Sequence, residues 1–143
     1  MREILFKAKQ IDNGEWIEGS LIDLDIDSGY CYIVQPYKKA SILPIIFLIT
    51  DRMKLVDPET LCQFTGLCDK NGKKIWENDI LMAHLDESCP EDATYETVEW
   101  GVAGFVTHEA GSTEREHFDE FDLEHFEVVG NIFDNKELLQ EEY

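Results

Sequence analysis

Cations are scarce in the second half of this sequence. From Ile75 onward only Arg115 and Lys136 stand against twenty carboxylates, a net charge of −18, whereas residues 1–74 hold ten basic and eleven acidic side chains and are nearly neutral. Nucleic-acid binding depends on cationic groups that displace condensed counterions, so direct DNA or RNA binding is not expected. Long apolar runs are also missing. The longest stretch, Ile42 to Ile49, is broken by Pro44 and is far short of the ~20 residues that span a bilayer, so no membrane association is expected. The opening segment, Met1 to Lys7, alternates charged and apolar residues and has no signal-peptide core; a cytoplasmic location is expected.

Close cysteine pairs are absent too. Cys31, Cys62, Cys68 and Cys89 include no C-x-x-C pair of the kind that builds zinc sites, and a reducing cytosol keeps thiols free. Four reduced, unliganded cysteines are expected. No H-E-x-x-H, G-x-S-x-G or glycine-rich phosphate loop occurs. The sequence therefore nominates no catalytic residue, no cofactor-binding residue and no metal ligand, and no cofactor.

What is present is apolar and aromatic content enough for a folded core: 43% hydrophobic and 11% aromatic residues in a chain of one-domain length. The patterning is that of strands. Ile4, Phe6 and Ala8 alternate with Leu5, Lys7 and Lys9, and Asp12-Asn13-Gly14 makes a turn into a returning strand, Glu15 to Leu21. Ile22 to Asp27 alternates strictly between apolar residues and aspartates; Ser28-Gly29 turns the chain, and Tyr30 to Val34 is rich in β-formers. Ile45 to Thr50 has the content of a buried strand. Asp57-Pro58-Glu59-Thr60 is a turn and the natural boundary between halves. Beyond it, Leu61 to Leu67 and Lys74 to Ala83 flank Asp69-Lys70-Asn71-Gly72, whose Asn-Gly is a hairpin signal. Asp86 to Thr94 reads as a loop, Thr97 to Trp100 and Gly104 to His108 as two strands, and Ala110 to Asp122 as part loop and part irregular helix. Phe126 to Ile132 reads as a last strand and Asn135 to Tyr143 as a short helix. Many short strands with turns between them predict a mainly β chain, a small barrel or roll.

Four blocks carry a family resemblance. Phe64-Thr65-Gly66-Leu67, running through Asp69-Lys70-Asn71-Gly72-Lys73 to Ile75-Trp76-Glu77-Asn78-Asp79-Ile80, resembles the YopX family of phage and prophage proteins. So do the opening Arg2-Glu3-Ile4 with Phe6 and Ala8, the turn Val56-Asp57-Pro58-Glu59-Thr60, and the closing Glu127-Val128-Val129-Gly130-Asn131-Ile132-Phe133 with Asn135 and Leu138. The resemblance implies a later half similar to an SH3-like barrel, hence a β-rich subdomain over residues 1–60 and an SH3-like barrel subdomain with an acidic surface over 61–143. It implies no reaction. Cys68 stands where that family usually has a basic or polar residue, and Asn78 where Gly is common; Asn tolerates positive φ, so the turn is expected to survive.

Other constellations have plain explanations. Asp23-x-Asp25-x-Asp27 begins like an EF-hand loop, but Ser28 replaces its glycine and Val34 its bidentate glutamate. On a strand these carboxylates would lie about 6.8 Å apart, a solvated face rather than a cage. His84, His108, His117 and His125 match no ligand spacing. The expected function is therefore that of a non-enzymatic, phage- or prophage-encoded accessory protein in the bacterial cytoplasm, working through protein partners. Self-association stays open. The alternatives are a small metal-dependent or carboxylate-based hydrolase using the acidic half and His108 or His125, and an acidic DNA mimic that occupies the groove of a host nucleic-acid-binding protein.

Overall fold

A computed structural model describes residues 3–25, 29–35, 53–84 and 93–140. The chain divides into two compact units, Met1–Gln63 and Phe64–Tyr143. The expected strand Ile45–Thr50, the Asp27 carboxylate, Ser28, Cys89 and most of the expected loop Asp86–Thr94 lie outside the described residues.

In the first unit β1 (Phe6–Lys9), β2 (Trp16–Asp25), β3 (Tyr30–Val34) and β4 (Met53–Val56) run antiparallel in the order β4-β3-β2-β1. The first residues of β5 (Cys62–Cys68) join β1 through Lys7 opposite Cys62 and Phe6 opposite Gln63. The β1–β2 turn forms as the Asn-Gly signal predicts, with Asn13 Oδ1 accepting from the Glu15 amide at 2.8 Å. Two-residue alternation builds the core: in β3, Cys31 and Ile33 are buried while Tyr30 faces out. Ala8, Ile17 and Val56 complete the cluster, with Phe6, Leu21 and Leu61 against it. The returning strand expected over Glu15–Leu21 and the alternating residues as far as Asp25 form one strand, β2, because no turn residue separates them. Its inward set is Ile17 and Leu21, so Asp23 continues that face and lies opposite Cys31.

The block Val56–Thr60 closes this unit. Asp57 caps a 3-10 turn, Pro58–Thr60, by accepting from the Glu59 amide at 3.0 Å. The Thr60 hydroxyl donates to the Asp57 carbonyl at 2.8 Å and accepts from the Lys9 amide at 2.9 Å. Asp57 and Thr60 thus serve this turn as caps.

The second unit continues β5 and adds β6 (Lys74–Trp76), β7 (Asp79–His84), β8 (Ala93–Gly101), β9 (Gly104–Glu109), β10 (Arg115–His117), a helix α1 (Glu120–His125), β11 (Glu127–Asn131) and a short final helix α2 (Glu137–Gln140). Its five-stranded antiparallel sheet has the order β10-β9-β8-β7-β11. Ile75, Leu81, Val98, Phe105, Phe126 and Val128 form its core, with Leu67, Ala83, Phe118 and Leu123 packed on them. No helix among the described residues is long and apolar enough to cross a membrane.

The hairpin β5–β6 turns at Asn71-Gly72, where Gly72 takes φ 80°. Its returning arm is shorter than the continuous strand expected from Lys74 to Ala83. The chain breaks at Glu77-Asn78, where Asn78 takes φ 71° and its carbonyl accepts from the Ile132 amide at 3.0 Å. Asp79 then accepts from the Trp76 amide at 2.8 Å, so the turn is locked by its own carboxylate. Two further expectations are corrected. The acidic stretch 110–122 contains the strand β10, whose three residues are all exposed and give no two-residue periodicity. The barrel is not closed: among the described residues β10 and β11 are the two edges of an open sheet. Closure depends on strand tilt and stagger, which alternation along single strands does not encode.

Candidate functional site

Glu99, His108 and Arg115 meet on the outer face of β8, β9 and β10. Val98 and Phe105 point inward, so the alternate residues Thr97, Glu99 and His108 point outward. Register places Thr97 opposite His108 and Arg115 opposite His108, which makes Glu99 a diagonal neighbour of the histidine. Arg115 Nε donates to Glu99 Oε2 at 2.7 Å, and His108 Nδ1 lies 3.5 Å from Glu99 Oε1. His108 Nε2 donates to the Ser112 carbonyl, and Arg115 Nη1 donates to the Thr113 carbonyl at 3.3 Å. Both side chains thus pin the loop between β9 and β10.

The inner face of the same hairpin carries a different sequence of groups. Glu96 lies opposite Glu109, Val98 opposite Thr107 and Trp100 opposite Phe105. Trp100 meets Phe105 edge-on, centroids 4.6 Å apart, yet remains 60% exposed, and Val102 at the tip is fully exposed. Neither was nominated by sequence; the available signal was the uncharged run Trp100 to Phe105 inside so acidic a half.

His84 ends β7, its buried Nδ1 without a hydrogen-bond partner among the described residues; His117 is exposed on β10, and His125 ends α1. No group of three His, Cys, Asp or Glu residues able to hold a metal occurs among the described residues. Asp23 is exposed at the far end of β2. Cys31 and Cys62 are buried and Cys68 is exposed. Burial first, then the charges of Asp23 and Asp57, push the Cys31 thiol above its ordinary 9.0, which keeps it protonated and unreactive. In the first unit a pocket of about 140 Å³ is lined by Gln10, Ile11, Asp12, Lys54 and Leu55, smaller than ordinary ligand sites.

The conspicuous carboxylates of the 64–80 block are structural. Asp69 is 6% exposed; its Oδ1 accepts from the amides of Asn71 and Lys73 and its Oδ2 from that of Val128, all at 2.9 Å. Thr65 is buried and donates to the Ile75 carbonyl at 2.7 Å. The closing segment is a cap as well: Asn131 Oδ1 accepts from the amides of Phe133 and Asp134 at 3.0 Å. A Cβ at Gly130 would fall 2.4 Å from Asn135 Oδ1, which bonds the Asn131 amide.

Fold and site together define an acidic, mainly β protein of two units, each with its own apolar core. The chain belongs to the YopX family: the family model described as "YopX protein" matches residues 5–140. No curated protein matches it. Among solved structures it is similar to the crystal structure of protein EF1440 from Enterococcus faecalis, with 21% identity and a TM-score of 0.60, covering 98% of this chain and 100% of that one. At that identity the likeness is one of fold.

Proposed function

We propose that this protein is a non-enzymatic accessory protein of phage or prophage origin that acts in the bacterial cytoplasm by binding another protein through its acidic second unit. One observation carries the reading: Glu96, Glu109 and Glu116 share one face of three neighbouring strands, while Arg115, the one Lys or Arg on those strands, is paired with Glu99 on the other face. Such a surface steers a basic partner and accelerates its association. The fold reading that accompanies it is an SH3-like roll. Its support is the order of the sheet, a four-strand meander from β7 to β10 whose fifth strand, β11, returns past a helix to pair with β7.

Tagged protein incubated with host lysate tests the reading. A retained protein partner that is released as salt rises is expected; no retained partner would count against it. A second reading within the first is DNA mimicry, favoured by the same rows of carboxylates. Partners that are nucleic-acid-binding proteins, displaced by free duplex DNA, distinguish it from other acidic contacts.

A further inference from the structure

We propose that the β8–β9 hairpin tip anchors this contact, and that it fits a protein surface bearing an apolar pocket bordered by Lys or Arg side chains. The inference rests on the acidic-face reading and adds where binding energy is concentrated. Residues Trp100 to Phe105 carry no charge in a half with net −18. Among the described residues of the second unit, the exposed large hydrophobics are Trp100 and Val102, both on this hairpin. Trp100 is exposed yet held, since its ring rests edge-on against the buried Phe105. An indole fixed in this way loses little side-chain entropy on docking, and tryptophan is the residue type most enriched where interfaces concentrate their energy.

Charge selects the occupant. Glu96 and Glu109 lie on the same face as Trp100, about 13 Å down the strand for four residues of rise. Glu99 stands on the opposite face, its charge shared with Arg115. A second copy would bring another −18 against the first, an anionic lipid surface would repel the tip, and nucleic acid would be repelled by the same field. A pocket with a cationic border meets both features at once.

Nuclear magnetic resonance of the full chain tests this, with a synthetic amphipathic helical peptide of leucine and lysine as probe and its leucine–glutamate counterpart as control. The three indole N–H signals belong to Trp16, Trp76 and Trp100, and Trp100→Phe assigns the last. At low salt the lysine peptide is expected to shift the Trp100 indole and the Gly101 and Gly104 amides saturably, and the glutamate peptide to leave them in place. Val102→Asp, at a position that buries nothing, is expected to lower the affinity about tenfold with the rest of the spectrum unchanged. Binding that moves the carboxylate-bearing strands but not the Trp100 indole would overturn the anchor and leave the acidic-face reading standing. Equal binding of both peptides, or no binding of either, would overturn the selected occupant. A Trp100 shift that follows protein concentration without peptide would assign the tip to a second copy and overturn it as well.

Discussion

Asp69 shows how much local structure a single residue of the 64–80 block holds. One carboxylate satisfies two amides of its own hairpin turn and the Val128 amide 59 residues further on. Asp69→Ala strands one buried donor, the Val128 amide, at about 1–3 kcal/mol before water or relaxation compensates, and two part-buried turn amides that water can reach; a loss of about 2–4 kcal/mol in urea unfolding is expected. Asp69→Asn should also destabilise, since both carboxylate oxygens accept and an amide NH2 must face a donor whichever way it sits. An Asn variant within about 0.5 kcal/mol of wild type would show the bonds to be unimportant. Cys31 gives a pH test. Its folded pKa is raised, so the stability it contributes is complete below 9.0 and is lost as pH rises beyond that, where the unfolded chain ionises first. Unfolding free energy measured between about pH 8 and about pH 10 should fall for the wild type and fall less steeply for Cys31→Ala. Parallel slopes would remove the thiol from the account.

At the scale of elements, the hairpin β8–β9 contains an avoidable conflict. Glu96 and Glu109 are directly opposite on one face, and like charges in that relation are destabilising. Glu109→Lys, at an exposed strand end, should raise stability by about 0.2–1 kcal/mol, with the gain shrinking in high salt. Thermal unfolding of the variant at two salt concentrations measures the effect, and a loss at low salt would contradict it. Elements marked by alternation, by β-forming residues or by Asn-Gly, such as β1, β3 and the turn at Asn71-Gly72, were legible in the sequence. The strand β10 was not, because Arg115, Glu116 and His117 are all exposed and a strand without a buried face has no period to read. The Glu99–Arg115–His108 contact was equally hidden: it exists only once the register of three strands is set. The break at Asn78 was half legible, since the tolerance of Asn for positive φ could be read but not that the chain would there leave β6 and start a second sheet.

For the molecule as a whole, composition announced the dominant force more plainly than any motif. With net −19 over 143 residues, and −18 of it from Ile75 onward, the folded chain holds like charges closer together than the unfolded chain does, and that self-repulsion lowers stability. Two of the local pairs relieve little of it: Lys70–Glu127 at 3.9 Å and Arg115–Glu99 at 2.7 Å are surface contacts worth about 0–1 kcal/mol each. Screening reaches much further. The Debye length falls from about 30 Å at 0.01 M ionic strength to about 10 Å at 0.1 M and about 3 Å at 1 M, so the first tenfold rise in salt should remove most of the repulsion across a unit of this size. The urea midpoint is therefore expected to rise steeply between 0.01 and about 0.1 M sodium chloride and to level off above it. Sodium chloride is the right salt because it acts chiefly by screening, whereas sulfate would also strengthen apolar burial. A midpoint that is flat across this range, or falls, would mean that the acidic surface costs the fold nothing, and that Glu96 and Glu109 need no partner to explain their place.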